Sequence, residues 1–218
     1  MDVTELTALI RKTPELLAKT RNVGETGDWD DLYTVVDFLS YAFAKTYPTL
    51  PCRAGCSHCC EVSLFRVTET EWRAIEGYLA AGLEPELEAT LKAQVRELYG
   101  PHRAQLEALG EFWGKTELGT PGAPMAGLPT RCPFLSSEGV CSIYEVRPLV
   151  CRAYGSFGVT IGDRPTMLIC DPYGPPFIDA LSAGGSQTLT MAPVEPMYKR
   201  LSELAPGSAI APLQLWVL

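Results

Sequence analysis

Residues 52–60 read Cys52-Arg53-Ala54-Gly55-Cys56-Ser57-His58-Cys59-Cys60, four cysteines within nine residues. Thiolates are soft ligands that select zinc, Cu(I) or iron–sulfur clusters. Short spacings let a tight turn aim several sulfurs at one point. The remaining cysteines, Cys132, Cys141, Cys151 and Cys170, lie far along the chain, and none falls in residues 1–51 or 171–218. A fold that uses both groups has to bring two remote stretches together.

Three readings of eight cysteines compete. A disulfide framework fits the even count, but it belongs to short secreted chains that cannot build a core. This chain has 218 residues and begins Met-Asp-Val-Thr-Glu-Leu, acidic and without a basic or continuously apolar leader. Scattered buried thiols are common, yet scatter does not explain the clustering. Metal coordination is the reading left, and all eight are candidate ligands: Cys52, Cys56, Cys59, Cys60, Cys132, Cys141, Cys151 and Cys170.

Eight thiolates exceed what one tetrahedral ion takes, so the count implies two centres, or a polynuclear cluster with thiols left over. Neighbouring side chains diverge by about 100° on a helix and alternate faces on a strand. Cys59 and Cys60 therefore do not both suit one tetrahedral ion, and either is open as the ligand. His58 is placed to complete a Cys₃His zinc site or to lie exposed on the loop, and His102 reads as a surface residue. A four-thiolate zinc ion or an oxidised [4Fe–4S] cluster carries a formal charge of about −2. Arg53, Arg131, Arg147 and Arg152 stand beside cysteines and are candidates to offset that charge, Arg147 and Arg152 most directly because they flank Cys151. Tyr144 joins them as a candidate supporting residue, with a buried aromatic that orders the loop as its simpler reading.

The formal net charge of −8 argues against nucleic acid, which needs a basic face to displace counterions, and against anionic lipid. No stretch approaches the roughly 18 apolar residues of a membrane span. A cytoplasmic location is expected. Phosphate-binding loops and the GxSxG elbow are absent from the sequence.

Around the cysteines the pattern is helical. Leu6, Leu9 and Ile10 share a face before Thr13-Pro14, where a threonine cap with proline behind it predicts a helix restart through Leu16 and Leu17. Asp28 is the expected cap of a second helix carrying Leu32, Val35, Val36, Leu39 and Phe43, ending before Tyr47-Pro48. Glu61–Val67 suits a short strand. Thr68-Glu69-Thr70-Glu71 matches a capping box that opens a helix turning Trp72, Ile75 and Leu79 inward and stopping at Gly82. Further helices are expected over Glu84–Tyr99, on the stripe Leu87, Leu91 and Val95, and after Pro101, through Leu106, Leu109 and Phe112. Residues 114–130 read as an extended loop. Beyond Asp171-Pro172, Pro, Gly and Ala dominate, with a helix near Val194–Leu204 and an apolar end at Leu213–Leu218.

The fold class is thus mainly α with irregular cysteine-rich loops and little β, a compact single domain organised around a metal centre. Residues 1–50 form an N-terminal helical segment. Residues 51–172 form the cysteine-cluster domain with a helical insert at 84–128, and residues 173–218 a tail packing on the body.

The pattern resembles a known family. Cys52-x3-Cys56-x2-Cys59-Cys60, then Cys132-Pro133-Phe134-Leu135, then Cys141-Ser142-Ile143-Tyr144-Glu145-x-Arg147-Pro148-x-x-Cys151-Arg152, with a further cysteine at Cys170, is similar to the YkgJ-type cysteine-cluster proteins. The resemblance spans residues 51–172. It implies chelation of zinc or iron, and members are often loosely called Fe–S oxidoreductases. A related domain in flagellin lysine methylases keeps a protein substrate in view. The x3 spacing after Cys52, where x2 also occurs, and the long insert depart from the family pattern.

The leading expectation is a metal-binding protein holding an iron–sulfur cluster, [4Fe–4S], with a redox or protein-modifying role and a protein substrate or electron-transfer partner. The alternative is a zinc-binding structural or interaction module without catalysis. Cys52-x3-Cys56-x2-Cys59 is also the spacing of radical SAM enzymes, but the βα alternation of that barrel is missing here.

Overall fold

The computed structural model describes residues 1–53, 55–82, 85–161, 164–183 and 189–218. Its elements run α1 Val3–Lys19, α2 Leu32–Thr46, α3 His58–Val62, β1 Arg66–Thr68, α4 Glu69–Gly82, α5 Pro85–Tyr99, α6 Arg103–Lys115 and α7 Leu149–Ala153. They continue with β2 Phe157–Ile161, β3 Arg164–Met167, α8 Gly174–Ala183, β4 Ala192–Pro193, α9 Glu195–Leu204, β5 Ile210–Pro212 and α10 Leu213–Val217. Helix dominates and the described strands form two small sheets, so the protein is mainly α.

The chain folds into two compact units that interleave in sequence. The first comprises Met1–Cys56 and Arg152–Leu204. Helix α1 opens on Asp2, whose carboxylate accepts the Glu5 N–H at 2.9 Å while Glu5 accepts the Asp2 N–H at 2.9 Å. These reciprocal bonds close a capping box. The helix then runs unbroken through Pro14, so the restart expected at Thr13-Pro14 does not occur. Proline removes one donor, but the buried positions Leu6, Thr13 and Leu17 continue on both sides of it and keep the helix whole.

Asp31, not Asp28, caps α2. Its oxygens accept the N–H groups of Gly24 (2.9 Å), Glu25 (2.8 Å), Thr26 (3.0 Å) and Tyr33 (2.8 Å). One fully buried carboxylate thereby folds the whole 24–33 loop around itself. Sequence spacing cannot show this, because three of the four donors precede the cap rather than follow it. Helix α2 buries Leu32, Val35, Val36, Leu39 and Phe43, and Phe43 joins Leu6, Tyr47, Met167 and Phe177 in one core cluster. A three-stranded sheet of order β3-β2-β4 completes the unit, with β2 antiparallel to β3 and parallel to β4. Helix α9 lies where the sequence predicts it, whereas α8 forms in a stretch that reads as Pro-, Gly- and Ala-rich tail. Pro175 and Pro176 fall in the first turn of α8, where a missing N–H removes no helix bond.

The second unit comprises Ser57–Cys151 and Ala205–Leu218. Of the expected Glu61–Val67 strand only Arg66 and Val67 pair into a strand, β1, which runs on to Thr68, since α3 continues to Val62. Strand β1 pairs antiparallel with β5, placing Arg66 opposite Pro212 and Thr68 opposite Ile210. Helix α6 packs on β5 through Gly110, where a Cβ would stand 3.2 Å from the Ile210 carbonyl oxygen. Val67, Ile75, Leu79, Val95, Tyr99, Leu106, Leu109, Phe134, Ile143, Leu213 and Val217 form the core. Trp216 of α10 stacks on Trp72, their centroids 6.4 Å apart, and donates its indole N–H to the Val67 carbonyl at 3.1 Å. Glu84, the expected start of α5, and the Leu87 side chain lie outside the described residues. No described helix is long and apolar enough to cross a membrane.

Burial by itself raises the Asp31 carboxyl, but the donors from Gly24, Thr26, Tyr33 and Glu25 outweigh it and hold the group below its ordinary 3.8. A depressed carboxyl stabilises the fold fully above the unfolded value and loses that contribution as pH falls through the folded one. Asp31→Asn is therefore expected to lower the unfolding free energy at neutral pH by about 2 kcal/mol in urea titrations. The gap to wild type should narrow as the pH is taken below about 4.

Candidate metal centre

In the second unit the two remote cysteine stretches are joined by backbone. Helix α3 places Cys60 in its first turn, the Cys60 N–H donating to the Ser57 carbonyl at 2.9 Å. The Cys60 carbonyl then accepts the N–H of Cys132 at 2.6 Å. Beside this bond the Thr130 hydroxyl donates to the Glu61 carbonyl at 2.8 Å. Residues 130–132 are thus clamped to the end of α3. Tyr99 fixes the clamp from behind by donating its hydroxyl to the Arg131 carbonyl. The Arg131 guanidinium in turn donates to the carbonyls of Leu135 (3.4 Å) and Ser136 (3.2 Å).

A tight turn returns the chain from Cys132 to Cys141. The Ser136 N–H donates to the Val140 carbonyl at 2.9 Å, the Ser142 N–H to the Phe134 carbonyl at 2.9 Å, and Leu135 bridges Cys141. Gly139 takes φ +77° in this turn, a backbone angle that side chains disfavour. A 3₁₀ turn at Tyr144–Val146 and Pro148 then lead into α7, which carries Cys151.

The start of α7 is held by Glu71. Its Oε2 accepts the N–H and hydroxyl of Thr68, each at 2.9 Å, which is the capping box read from Thr68-Glu69-Thr70-Glu71. Its Oε1 accepts the Leu149 N–H at 2.7 Å. One buried carboxylate therefore serves two helix N-termini, α4 and α7, and sets the position of Cys151. The sequence shows the first role and carries no sign of the second.

These connections make Cys60, Cys132, Cys141 and Cys151 electrostatic neighbours. Burial, with repulsion from Cys60 and Cys141, pushes the Cys132 thiol up to about 12 against hydrogen bonding from the Phe134 N–H and the charge of Arg131. Burial and the same three-way repulsion from Cys132, Cys60 and Cys141 raise Cys151 well above its ordinary value, with Arg147 opposing. Cys60 goes the other way, down to about 7. A hydrogen bond from Cys59 is the main cause, and the Arg147 charge adds to it against burial and Glu61. No disulfide joins any of the eight cysteines. Among the described residues, no group of three or more His, Cys, Asp or Glu side chains stands ready to hold a metal ion.

The other predicted residues divide between the units. Cys52, Cys56 and Cys170 lie in the first, and Cys59 beside Cys60 in the second. His58 is half-buried on α3. His102 meets Gln105 at 3.0 Å. Arg147 stacks over the Tyr144 ring at 4.3 Å, and Tyr144 is 56 % exposed, so it is not the buried aromatic its simpler reading made it. Arg152 is 4 % exposed, pairs with Asp37 and lies 4.2 Å over the Tyr33 ring.

A family model described as "Putative zinc- or iron-chelating domain" matches residues 51–167, more than half of the chain. The chain belongs to the CxxCxxCC family. The match encloses Cys52 to Cys151 and stops short of Cys170. No curated protein matches the chain, and neither does any solved structure. The donor chemistry of this CxxCxxCC protein fits the family description. Four neighbouring thiols with arginines beside them suit a soft, positively charged centre and repel one another when ionised without it.

Two measurements test this arrangement. Where Cys132 and Cys151 serve as metal ligands, uptake displaces the protons they hold. The apparent binding constant, followed by competition with a chromophoric chelator, should therefore rise at least about hundredfold per pH unit from neutral toward alkaline pH, one factor of ten for each proton released. Glu71→Gln places an amide donor among N–H donors and is expected to cost about 2 kcal/mol in denaturant titrations. It should also speed metal loss to EDTA, because α7 loses its anchor.

Proposed function

We propose that this CxxCxxCC protein holds an iron–sulfur cluster of the [4Fe–4S] class on Cys60, Cys132, Cys141 and Cys151. The observation that carries the reading is the Cys132 N–H to Cys60 carbonyl bond, which joins the two remote stretches within one unit, where Cys60, Cys132, Cys141 and Cys151 act on one another electrostatically. The surroundings support a cluster. The Phe134 N–H is hydrogen-bonded to the Cys132 sulfur, and Arg131 and Arg147 bring positive charge to the set. Hydrogen bonds to sulfur and local charge are the levers that set a cluster's potential. The Cys59 thiol, donating to Cys60, brings the unit to five thiols, one more than a tetrahedral ion takes.

Such a cluster supplies one-electron or Lewis-acid chemistry, and its partner would be a protein substrate or an electron-transfer protein. The chain's own residues hold the sulfurs, balance their charge through the two arginines, and keep α7 in place through Glu71.

A zinc-binding structural module is the second reading. It is favoured by the four-thiolate set in itself, since four thiolates close the shell of zinc and hold distant segments together. Anaerobic purification with iron, zinc and acid-labile sulfide analysis separates the two. Iron and sulfide in equal amounts with broad visible absorbance are expected, and Cys141→Ser should abolish both. A colourless protein with stoichiometric zinc replaces the first reading by the second, and a chain that takes up neither metal overturns both.

A further inference from the structure

We propose that the exposed Trp29–Phe38 pair of the first unit is a docking surface for a positively charged segment of another protein, an arginine of which stacks on the Trp29 indole. This surface lies outside residues 51–167, the span of the family match, and does not depend on which metal the thiols hold.

Trp29 is 54 % exposed, although burying an indole is among the larger gains a fold can make. Its ring meets Phe38 edge to face, the centroids 5.0 Å and the planes 79° apart. Phe38 is half-buried on α2. The loop that carries Trp29 is tied on both sides of it. The Arg21 and Asn22 N–H groups donate to the Asp30 carbonyl at 2.6 and 3.1 Å, and the Leu32 N–H donates to the Asn22 carbonyl at 2.9 Å. The Asp31 N–H donates to the Asp28 carbonyl at 2.9 Å, and the Asp31 carboxylate gathers the N–H groups of Gly24, Glu25 and Thr26. An aromatic side chain displayed on a loop already in order gives up little conformational entropy when a partner arrives. Interface anchors are of this kind.

Charge around the ring selects the partner. Residues 20–31 hold Arg21 against Glu25, Asp28, Asp30 and Asp31, which leaves the loop three charges negative. Among the described residues no ion pair engages Glu25, Asp28 or Asp30. Asp30 accepts the Asn22 amide and the Thr26 hydroxyl, each at 3.1 Å, neutral donors that leave its charge in place. Elsewhere the protein covers exposed rings with its own cations. Lys45 lies over Tyr41 at 5.2 Å and Arg147 over Tyr144 at 4.3 Å, both rings more than half exposed. Among the described residues no cation of this chain lies over Trp29, although indole is the best cation binder of the aromatic side chains. An arginine from outside supplies there what Lys45 and Arg147 supply to their tyrosines. Its planar, weakly hydrated guanidinium stacks on a ring better than an ammonium does. Anionic lipid and nucleic acid meet like charge at this loop, and a second copy of the chain would set the same acids against one another.

The test uses the full chain and synthetic octapeptides rich in arginine, lysine or glutamate, titrated by calorimetry at low salt. The arginine peptide is expected to bind, the lysine peptide to bind more weakly and the glutamate peptide not at all. Trp29→Ala should weaken arginine-peptide binding about tenfold, and Trp29→Phe, which keeps a ring, should lose less. Glu25→Gln combined with Asp28→Asn should also weaken binding and flatten its salt dependence. Glu97→Gln combined with Glu117→Gln removes the same charge from exposed positions of the second unit and should leave binding unchanged.

The proposal is overturned if wild type binds no arginine peptide, or if both charge-neutralised pairs weaken binding alike, which is attraction to net charge alone. It is also overturned if ultracentrifugation shows a dimer that Trp29→Ala dissolves, since the face then belongs to a second copy. Should Trp29→Ala lose its helical circular dichroism, the two charge-neutralised pairs decide in its place. A loss confined to the Glu25 and Asp28 pair supports the proposal, and an equal loss in both overturns it.

Discussion

Thiols held out of water beside one another resist losing their protons. Each ionisation places charge in a poorly solvated setting, and each new thiolate makes the next one harder to form. In the second unit this governs Cys132 and Cys151, which burial and neighbouring sulfurs drive upward together. Cys60 escapes because Cys59 donates to it and Arg147 favours its charged form. Such a set is strained as thiolates and relaxed by a cation, which is the electrostatic condition a metal centre exploits.

Keeping the sulfurs together against that repulsion falls to the backbone. The hydrogen bond from the Cys132 N–H to the Cys60 carbonyl, the Thr130 hydroxyl beside it and the Ser136–Val140 turn position three of the thiols mainly through the backbone. The fourth depends on Glu71, a buried carboxylate accepting from Thr68 and Leu149. Asp31 plays a comparable part in the first unit, gathering four backbone donors. Both show one device: a buried carboxylate is tolerable when N–H groups surround it, and in return it fixes the loops that donate.

The arginines flanking Cys151 separate by function although they stand close in sequence. Arg147 acts on Cys60 and Cys151 and covers the exposed Tyr144 ring. Arg152 points into the first unit, toward Asp37 and Tyr33, and its carbonyl accepts the Ser40 hydroxyl. Helix α7 spans the junction of the two units in sequence, which sends residues 151 and 152 to different surroundings.

Much of this protein follows from local order in the chain. The mainly helical class, the stop before Tyr47-Pro48, the Thr68–Glu71 capping box and the inward stripe of Ile75 and Leu79 rest on interactions between residues a few positions apart, and periodicity reports those directly. The Cys52–Cys60 spacing and the Cys141–Arg152 string likewise mark a chelating family without any coordinates. Other features depend on partners remote in sequence. Pro14 passes through α1 because buried contacts on either side outweigh one missing donor. Asp31 displaces Asp28 because a preceding loop wraps onto it. Glu71 reaches Leu149, Gly155 yields space to Cys52, and the eight thiols sort into neighbours only once long-range packing has closed the chain. Spacing along a sequence constrains near neighbours, whereas contacts between distant segments come into being only with the fold.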